Sequence, residues 1–249
     1  MKAQDLEKLI NGWLQPENYR DYCPNGLQLD SSKEIKRIAL AVSLTSEIIE
    51  KAADQNADAI LCHHGLFWDG ADLSLVGQKY ERVKALIKND LALLAYHLPL
   101  DYHPELGNSV QLAKVLGFAN FTFTDPKGNI PNLLIAEADG ILPQEFEDRV
   151  TNTLDRKPLM LKFGPERINK IGIMTGGAQK YFLEASKMGI DCYLTGEASE
   201  QTYAEAGELG LHYCGAGHYA SEQYGVQALG KSLSTKGFDC FFIPSENPI

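Results

Sequence analysis

The chain has no Cys-x-x-Cys pair, no surplus of positive charge, and no apolar run approaching the roughly 20 residues that cross a bilayer. Each absence removes a class of function. The five cysteines, Cys23, Cys62, Cys192, Cys214 and Cys240, are scattered and odd in number. Several stand inside apolar strand-like runs, where a free thiol behaves as a small hydrophobe. That usage belongs to a reducing compartment and argues against a disulfide framework or a four-cysteine structural zinc site. Acidic residues outnumber basic ones, 33 to 23, for a formal net charge of −10. Such a surface repels phosphate backbones, which argues against general duplex nucleic-acid binding. It leaves room for a small nucleotide whose phosphates sit on a metal. At the N-terminus Leu6, Leu9, Ile10, Trp13 and Leu14 recur at helical spacing, interrupted by Glu7 and Lys8. The segment therefore reads as an amphipathic helix and not as a signal peptide, and the chain is expected to be cytoplasmic with no membrane contact.

What is present is an alternation of strand and helix patterns. The 249 residues, 44% hydrophobic, suffice for one large domain or two modest ones. Strands are predicted over 37–42, 57–62 and 91–97, with helices over 46–55 and 79–88 between them. The order recurs as strands over 170–175, 190–195 and 211–215, with helices near 181–188 and 201–208. With Ile38 placed on Ile171, the register runs without a gap to His64 on Glu197. It matches Ala52 to Ala185, Asp58 to Asp191 and Leu61 to Leu194. This reads as an internal duplication, although any two βαβ units share such a phase. The expected fold is α/β: two related three-layer domains facing each other across a metal-binding cleft. They are expected over 1–125 and 126–237, with a last strand within 238–249 returning to the first. Between the copies, 132–138 and 159–163 read as strands and 143–154 as a helix.

Ligands in open α/β sheets gather beyond the carboxyl ends of strands. Four of the six histidines, His63, His64, His97 and His218, follow such strand ends. Neighbouring residues of a regular strand point to opposite faces. His63 and His64 are therefore expected to share a site only if the strand ends near Cys62 and the chain turns at Gly65. His97 and Asp101 are four apart, but Pro99 between them suggests a loop. His218 and Glu222 are four apart at a predicted helix start, which puts both on one face. Alone, the His-His pair also fits an ordinary strand end, and His-x-x-x-Glu a surface pair. Together the imidazole and carboxylate donors suit two divalent ions, zinc, iron, manganese or nickel. His103 reads as a solvent-facing loop residue and His212 as a strand residue. Asn25-Gly26-Leu27-Gln28 reads as a turn, with a place near the substrate as the alternative. Thr175-Gly176-Gly177-Ala178 lacks a full nucleotide-binding fingerprint and reads as a tight turn.

These blocks resemble one family. Asn25-Gly26-Leu27-Gln28, the run from Ala57 to Trp68, Tyr96 to Asp101, His103 to Asn108, Gly196 to Gln201, and Gly217 to Glu222 match the NGG-interacting-factor-like family. Its members are also known as GTP cyclohydrolase 1 type 2 homologues. The resemblance spans nearly the whole chain, with its blocks in the family's order. It implies a dinuclear metal centre on His63, His64, Asp101, His218 and Glu222, with His97 close by, and a ring-shaped homohexamer. It departs at Tyr219, where bacterial relatives often carry a second histidine, which makes Tyr219 a candidate substrate contact. The expected activity is hydrolysis of a nucleotide-like small molecule by metal-activated water, with His97 moving the proton. The alternative is a metal-binding regulator or scaffold without catalysis.

Overall fold

The computed structural model describes residues 1–125, 130 and 132–249. They form two compact units, 1–107 with 223–246, and 108–222 with 247–249. These divisions differ from the expected ones after residue 125 and residue 237, and the first residues of the expected second domain, 126–129, lie outside the described ones. The helix at 108–115 packs with strand Leu134–Ile141 of the second unit. The later turns of the long helix beginning at His218 lend Val226, Leu229 and Leu233 to the first unit's core.

In the first unit the elements run α1 (Ala3–Leu14), β1 (Gly26–Leu29), β2 (Arg37–Ser43), α2 (Ser46–Asp54), β3 (Ala59–His64), α3 (Gly77–Lys88), β4 (Ala92–Ala95) and α4 (Leu98–Asp101). The second contains α5 (Asn108–Val115), β5 (Phe121–Phe123), β6 (Leu134–Ile141), α6 (Pro143–Leu154), β7 (Leu159–Leu161), β8 (Ile168–Ile173), α7 (Phe182–Ala185), β9 (Cys192–Thr195), α8 (Thr202–Leu209) and β10 (His212–Gly215). Helix α9 (His218–Ser234) starts in the second unit, and β11 (Asp239–Phe242) belongs to the first.

The first sheet has the order β1-β4-β3-β2-β11. Its strands pair in parallel except for β1, which is antiparallel to β4. Successive side chains feed two cores. Ile38, Leu40, Leu61 and Leu94 pack with Leu6, Ile10 and Leu14 of α1 and with α9. Ala39, Ala41, Ile60, Cys62 and Leu93 pack with Ile48, Ile49 and Ala52 of α2 and Leu86 of α3. A sheet covered on both faces needs near-continuous apolar strands, which is why β2, β3 and β4 show no alternation. Each such Leu or Ile stabilises the fold by about 1.5–3 kcal/mol when fully buried. At Gly230 of α9 a Cβ would overlap Leu40, so glycine there lets the helix press onto β2.

The second sheet, β5-β6-β8-β9-β10-β7, repeats part of this plan. Three parallel strands, β8, β9 and β10, correspond to β2, β3 and β4, and in each unit an antiparallel strand, β7 or β1, flanks the third. The matched aspartates do the same work. Asp58 Oδ2 accepts from the amides of Lys36 and Arg37, and Asp191 Oδ2 from those of Asn169 and Lys170. Each clips together the starts of two neighbouring parallel strands. The copies differ where α2 is matched by a broken series of short turns over 179–188, and where β6 replaces β11 and runs antiparallel. Among the described residues no helix is long and apolar enough to cross a membrane.

Candidate metal centre

In the first unit, β3 does not stop at Cys62. It runs through His64, which pairs with Ser43, yet the His63 and His64 rings lie 4.4 Å apart. The expectation that the strand must end first is corrected by how each ring is held. His63 is fully buried, and its Nδ1 donates to the Tyr96 carbonyl at 2.9 Å, beyond the end of β4. His64 Nδ1 lies 2.9 Å from Ser43 Oγ on β2, the other neighbour. Both imidazoles thus lean over the strand's carboxyl end, one drawn from each side. Gly65 follows because a Cβ there would overlap Gln28 Oε1 and meet Ala95 at 2.7 Å.

His97 and Asp101 are not on a loop. They bracket α4, whose first turn contains Pro99. Proline is tolerated there because its missing N–H has no helical partner in any case. The turn brings His97 Nε2 to 3.9 Å from Asp101 Oδ2, while Asp101 Oδ1 is 3.4 Å from His63 Nε2. One carboxylate therefore faces two imidazoles. One ring nitrogen each of His63, His64 and His97 can be chosen so that all three lie within 4.8 Å of one another.

Asp21, which the sequence reading did not select, holds this cluster together with Asn25 and Gln28. Asp21, its side chain 3% exposed, accepts from His97 Nδ1 at 2.9 Å, from the Leu98 amide at 2.8 Å and from Asn25 Nδ2 at 2.9 Å. Burial alone would raise its pKa, but the bonds from His97 and Asn25, the charge of His97 and the Leu98 amide hold it down at about 2. Asn25 Oδ1 accepts from the His97 amide at 2.7 Å, and Gln28 Oε1 from the Leu66 amide at 2.8 Å. The Asn25–Gln28 segment is not the expected turn, because Gly26 to Gln28 lie in β1 paired with β4, and from there it clasps both histidine-bearing segments. Gly26, at φ +103°, is where a side chain would strike Glu7. Burial pushes the Cys23 and Cys62 thiols up, so neither presents a ready thiolate. His103 sits half-buried, its Nδ1 accepting from the Glu105 and Leu106 amides, and His212 is a buried residue of β10.

In the second unit, α9 places His218 and Glu222 one turn apart, with Nε2 and Oε2 at 3.1 Å. Glu197, which follows β9 as His64 closes β3, accepts from His218 Nδ1 at 2.6 Å. Gln179 Nε2 donates to the other Glu197 oxygen at 2.9 Å. Glu222 is 2% exposed, and a Cβ on Gly176 would overlap its Oε1. Gly176 has φ +67°, and its amide donates to Ser221 Oγ. The Gly-Gly segment is thus a tight turn that makes room for a carboxylate. Tyr219 uses its amide to hold the Ile249 carbonyl.

His218 is pushed up to about 9: burial opposes the charged form, but hydrogen bonds and charge from Glu222 and Glu197 outweigh it. His218 holds its proton more tightly folded than unfolded. Its contribution to the stability of the metal-free protein is therefore complete below about pH 6.5 and lost as the pH climbs through about 9. Glu197→Gln is expected to bring the His218 titration part of the way down, with Glu222 still raising it, and to lessen that loss, as read by imidazole NMR titration and by thermal melts between pH 6 and 10.

The donor chemistry fits divalent cations. His63, His97 and His218 each donate through Nδ1 to a carbonyl or carboxylate, so in the neutral ring Nε2 carries the electron pair. The spacings of 3.1 and 3.4 Å between imidazole nitrogen and carboxylate oxygen suit two ligands, each about 2.0–2.2 Å from a shared ion.

Two α/β units with imidazoles and carboxylates at the ends of their parallel strands define a protein with residue groups able to hold metal ions. The model of the Duf34/NIF3 (NGG1p interacting factor 3) family matches residues 1–248, and the chain belongs to that family. This agrees with the resemblance read from the sequence motifs. A GTP cyclohydrolase 1 type 2 homolog of Haemophilus influenzae is 45% identical over 251 residues, covering 100% of both chains. The solved structure of protein ybgI, described as of unknown function, is 39% identical with a TM-score of 0.93, covering 100% of both chains. That of TTHA1606 from Thermus thermophilus is 28% identical with a TM-score of 0.90, at the same coverage.

Proposed function

We propose that this chain is a dinuclear metal-dependent hydrolase of a nucleotide-like small molecule. His63, His64, Asp101, His218 and Glu222 would hold the ions, with His97 as the group that moves a proton. The observation that supports it most is the repeated arrangement in which an imidazole is anchored through Nδ1 and offers Nε2 beside a carboxylate. When bound, divalent cations supply Lewis acidity and lower the pKa of water towards neutrality. The chain's own residues do the rest. Asp21 keeps the proton of His97 on Nδ1, so that Nε2 is the atom that accepts or returns one. Burial of His63 and Glu222 keeps bulk water from competing for their polar atoms. Relatives named GTP cyclohydrolase 1 type 2 homolog direct the substrate towards nucleotides, with attack at a purine imidazole carbon or at phosphorus as the two reactions. The proposal extends to a homohexamer working in the cytoplasm.

The test is turnover of a panel of nucleotides and phosphoesters by protein loaded in turn with zinc, iron, manganese and nickel. Loss of turnover on chelation and in His64→Ala, with light scattering at six chains, is the expected result. Tight binding of two ions with no turnover of any panel member would instead favour the regulator or scaffold. Turnover that survives His64→Ala would overturn the mechanism.

A further inference from the structure

Two aromatic rings stand against the imidazole cluster without serving as core. Tyr22 is 51% exposed although its ring lies 4.8 Å from that of His97, at 70°. The Trp68 ring is 6.0 Å from Tyr22, inclined by only 31°, and lies 5.6 Å from His64 and 5.3 Å from His97. A ring whose purpose is packing buries most of its surface. Tyr22 leaves half of its own in water, beside groups assigned above to chemistry. The pair is also braced from behind. The Asp69 amide donates to the Tyr22 carbonyl at 2.7 Å, tying the two loops together. The Tyr22 amide donates to Asp21 Oδ1, so the carboxylate that aims His97 also sets the backbone that carries the Tyr22 ring. Tyr22 OH comes within 3.5 Å of His97 Nε2.

We propose that Tyr22 and Trp68 form an aromatic wall that takes the flat face of a planar heteroaromatic ring, a purine or similar base, beside His97. The inference rests on the nucleotide-like substrate proposed above and sharpens it: the base is read by stacking, and recognition does not reside in the phosphates alone. Two rings tilted by 31° on one side of the cluster give a surface that a π-face can lie against, whereas a cage for an organic cation needs aromatic faces on several sides. A phosphoester without a base would gain nothing from the wall.

The chain contains two tryptophans, Trp13 and Trp68. In Trp13→Phe the fluorescence therefore reports on the wall alone. Guanosine, GTP and inorganic triphosphate are titrated into this protein, metal-free and metal-loaded, with affinities also measured by calorimetry. Guanosine and GTP are expected to quench Trp68, and triphosphate not to. Tyr22→Leu is expected to weaken guanosine by about tenfold or more, while Tyr22→Phe retains it and triphosphate is unaffected by either. Metal content should not change, which separates loss of the wall from loss of the centre. Equal affinity for GTP and triphosphate, with no quenching by guanosine, would overturn the proposal. Equal weakening by Tyr22→Leu and Tyr22→Phe would also overturn it, since the hydroxyl and not the ring would then be responsible. Base stacking without turnover would leave the wall standing and remove the hydrolase reading.

Discussion

Asp101→Asn is expected, on the hydrolase mechanism proposed above, to lower kcat/KM by on the order of 10³-fold, the loss of several kcal/mol of charge stabilisation. Metal content should fall from the proposed two ions per chain to one or fewer. Asp101 is the one carboxylate of the first unit that faces two imidazoles, His63 through Oδ1 and His97 through Oδ2. Asparagine has almost the same shape but replaces one oxygen with a donor, so it has one acceptor where the cluster uses two. It also removes the negative charge that offsets a cation. The side chain is only 13% exposed but nearly isosteric with asparagine, and the fold should survive, with circular dichroism and melting temperature near those of the parent. Elemental analysis and steady-state kinetics check the result together. Two ions retained with kcat/KM within tenfold of the parent would remove Asp101 from the ligand set.

Asp21→Asn should have the next largest effect, and a different signature. The Asp21 carboxylate accepts from His97, Leu98 and Asn25 together. An amide in its place must turn an NH2 group towards at least one of those donors. His97 then loses the partner that keeps its proton on Nδ1, and on the proposed mechanism kcat should fall about 10- to 100-fold with metal content unchanged. Leaving a buried donor unsatisfied should also cost about 1–3 kcal/mol of stability at neutral pH. The acid side carries the sign. A carboxylate held at about 2 contributes stability that is present above about pH 3.8 and lost as the pH falls through about 2. The parent should therefore weaken more steeply than the variant over that window. Urea melts at pH 7, 4 and 2.5 measure the difference, and identical midpoints at all three would show that the carboxylate holds nothing.

Much of this was legible in the chain itself. Apolar runs without alternation marked β2, β3 and β4 as strands covered on both faces, and helical spacing marked α1, α2 and α6. Asp58 and Asp191 stood out as matched residues, and their shared hydrogen bonds supply the reason. Other features were not legible because they depend on partners remote in sequence. Asp21 is 76 residues from His97, and nothing in Asp-Tyr-Cys-Pro-Asn-Gly announces which strand end it serves. Asn25-Gly26 suggested a turn but opens β1, because pairing with β4 overrides the local turn preference, and its grip on His97 and Leu66 appears only once β1 lies beside β4. Pro99 misled because a rule about helix interiors was applied to a first turn. The strand periodicity likewise separated His63 from His64, since it describes where Cβ atoms point and not where a hydrogen bond draws the ring.

The two adjacent imidazoles are moored to different neighbours, His64 to the strand on one side and His63 to the chain leaving the strand on the other. Their aim is therefore a property of three strands laid side by side, and a peptide cut from 57 to 68 would carry both rings with neither mooring. Chelating power is then acquired at the moment the sheet closes. In the unpaired chain the two rings swing freely, so laying the strands together and aiming the donors are one event.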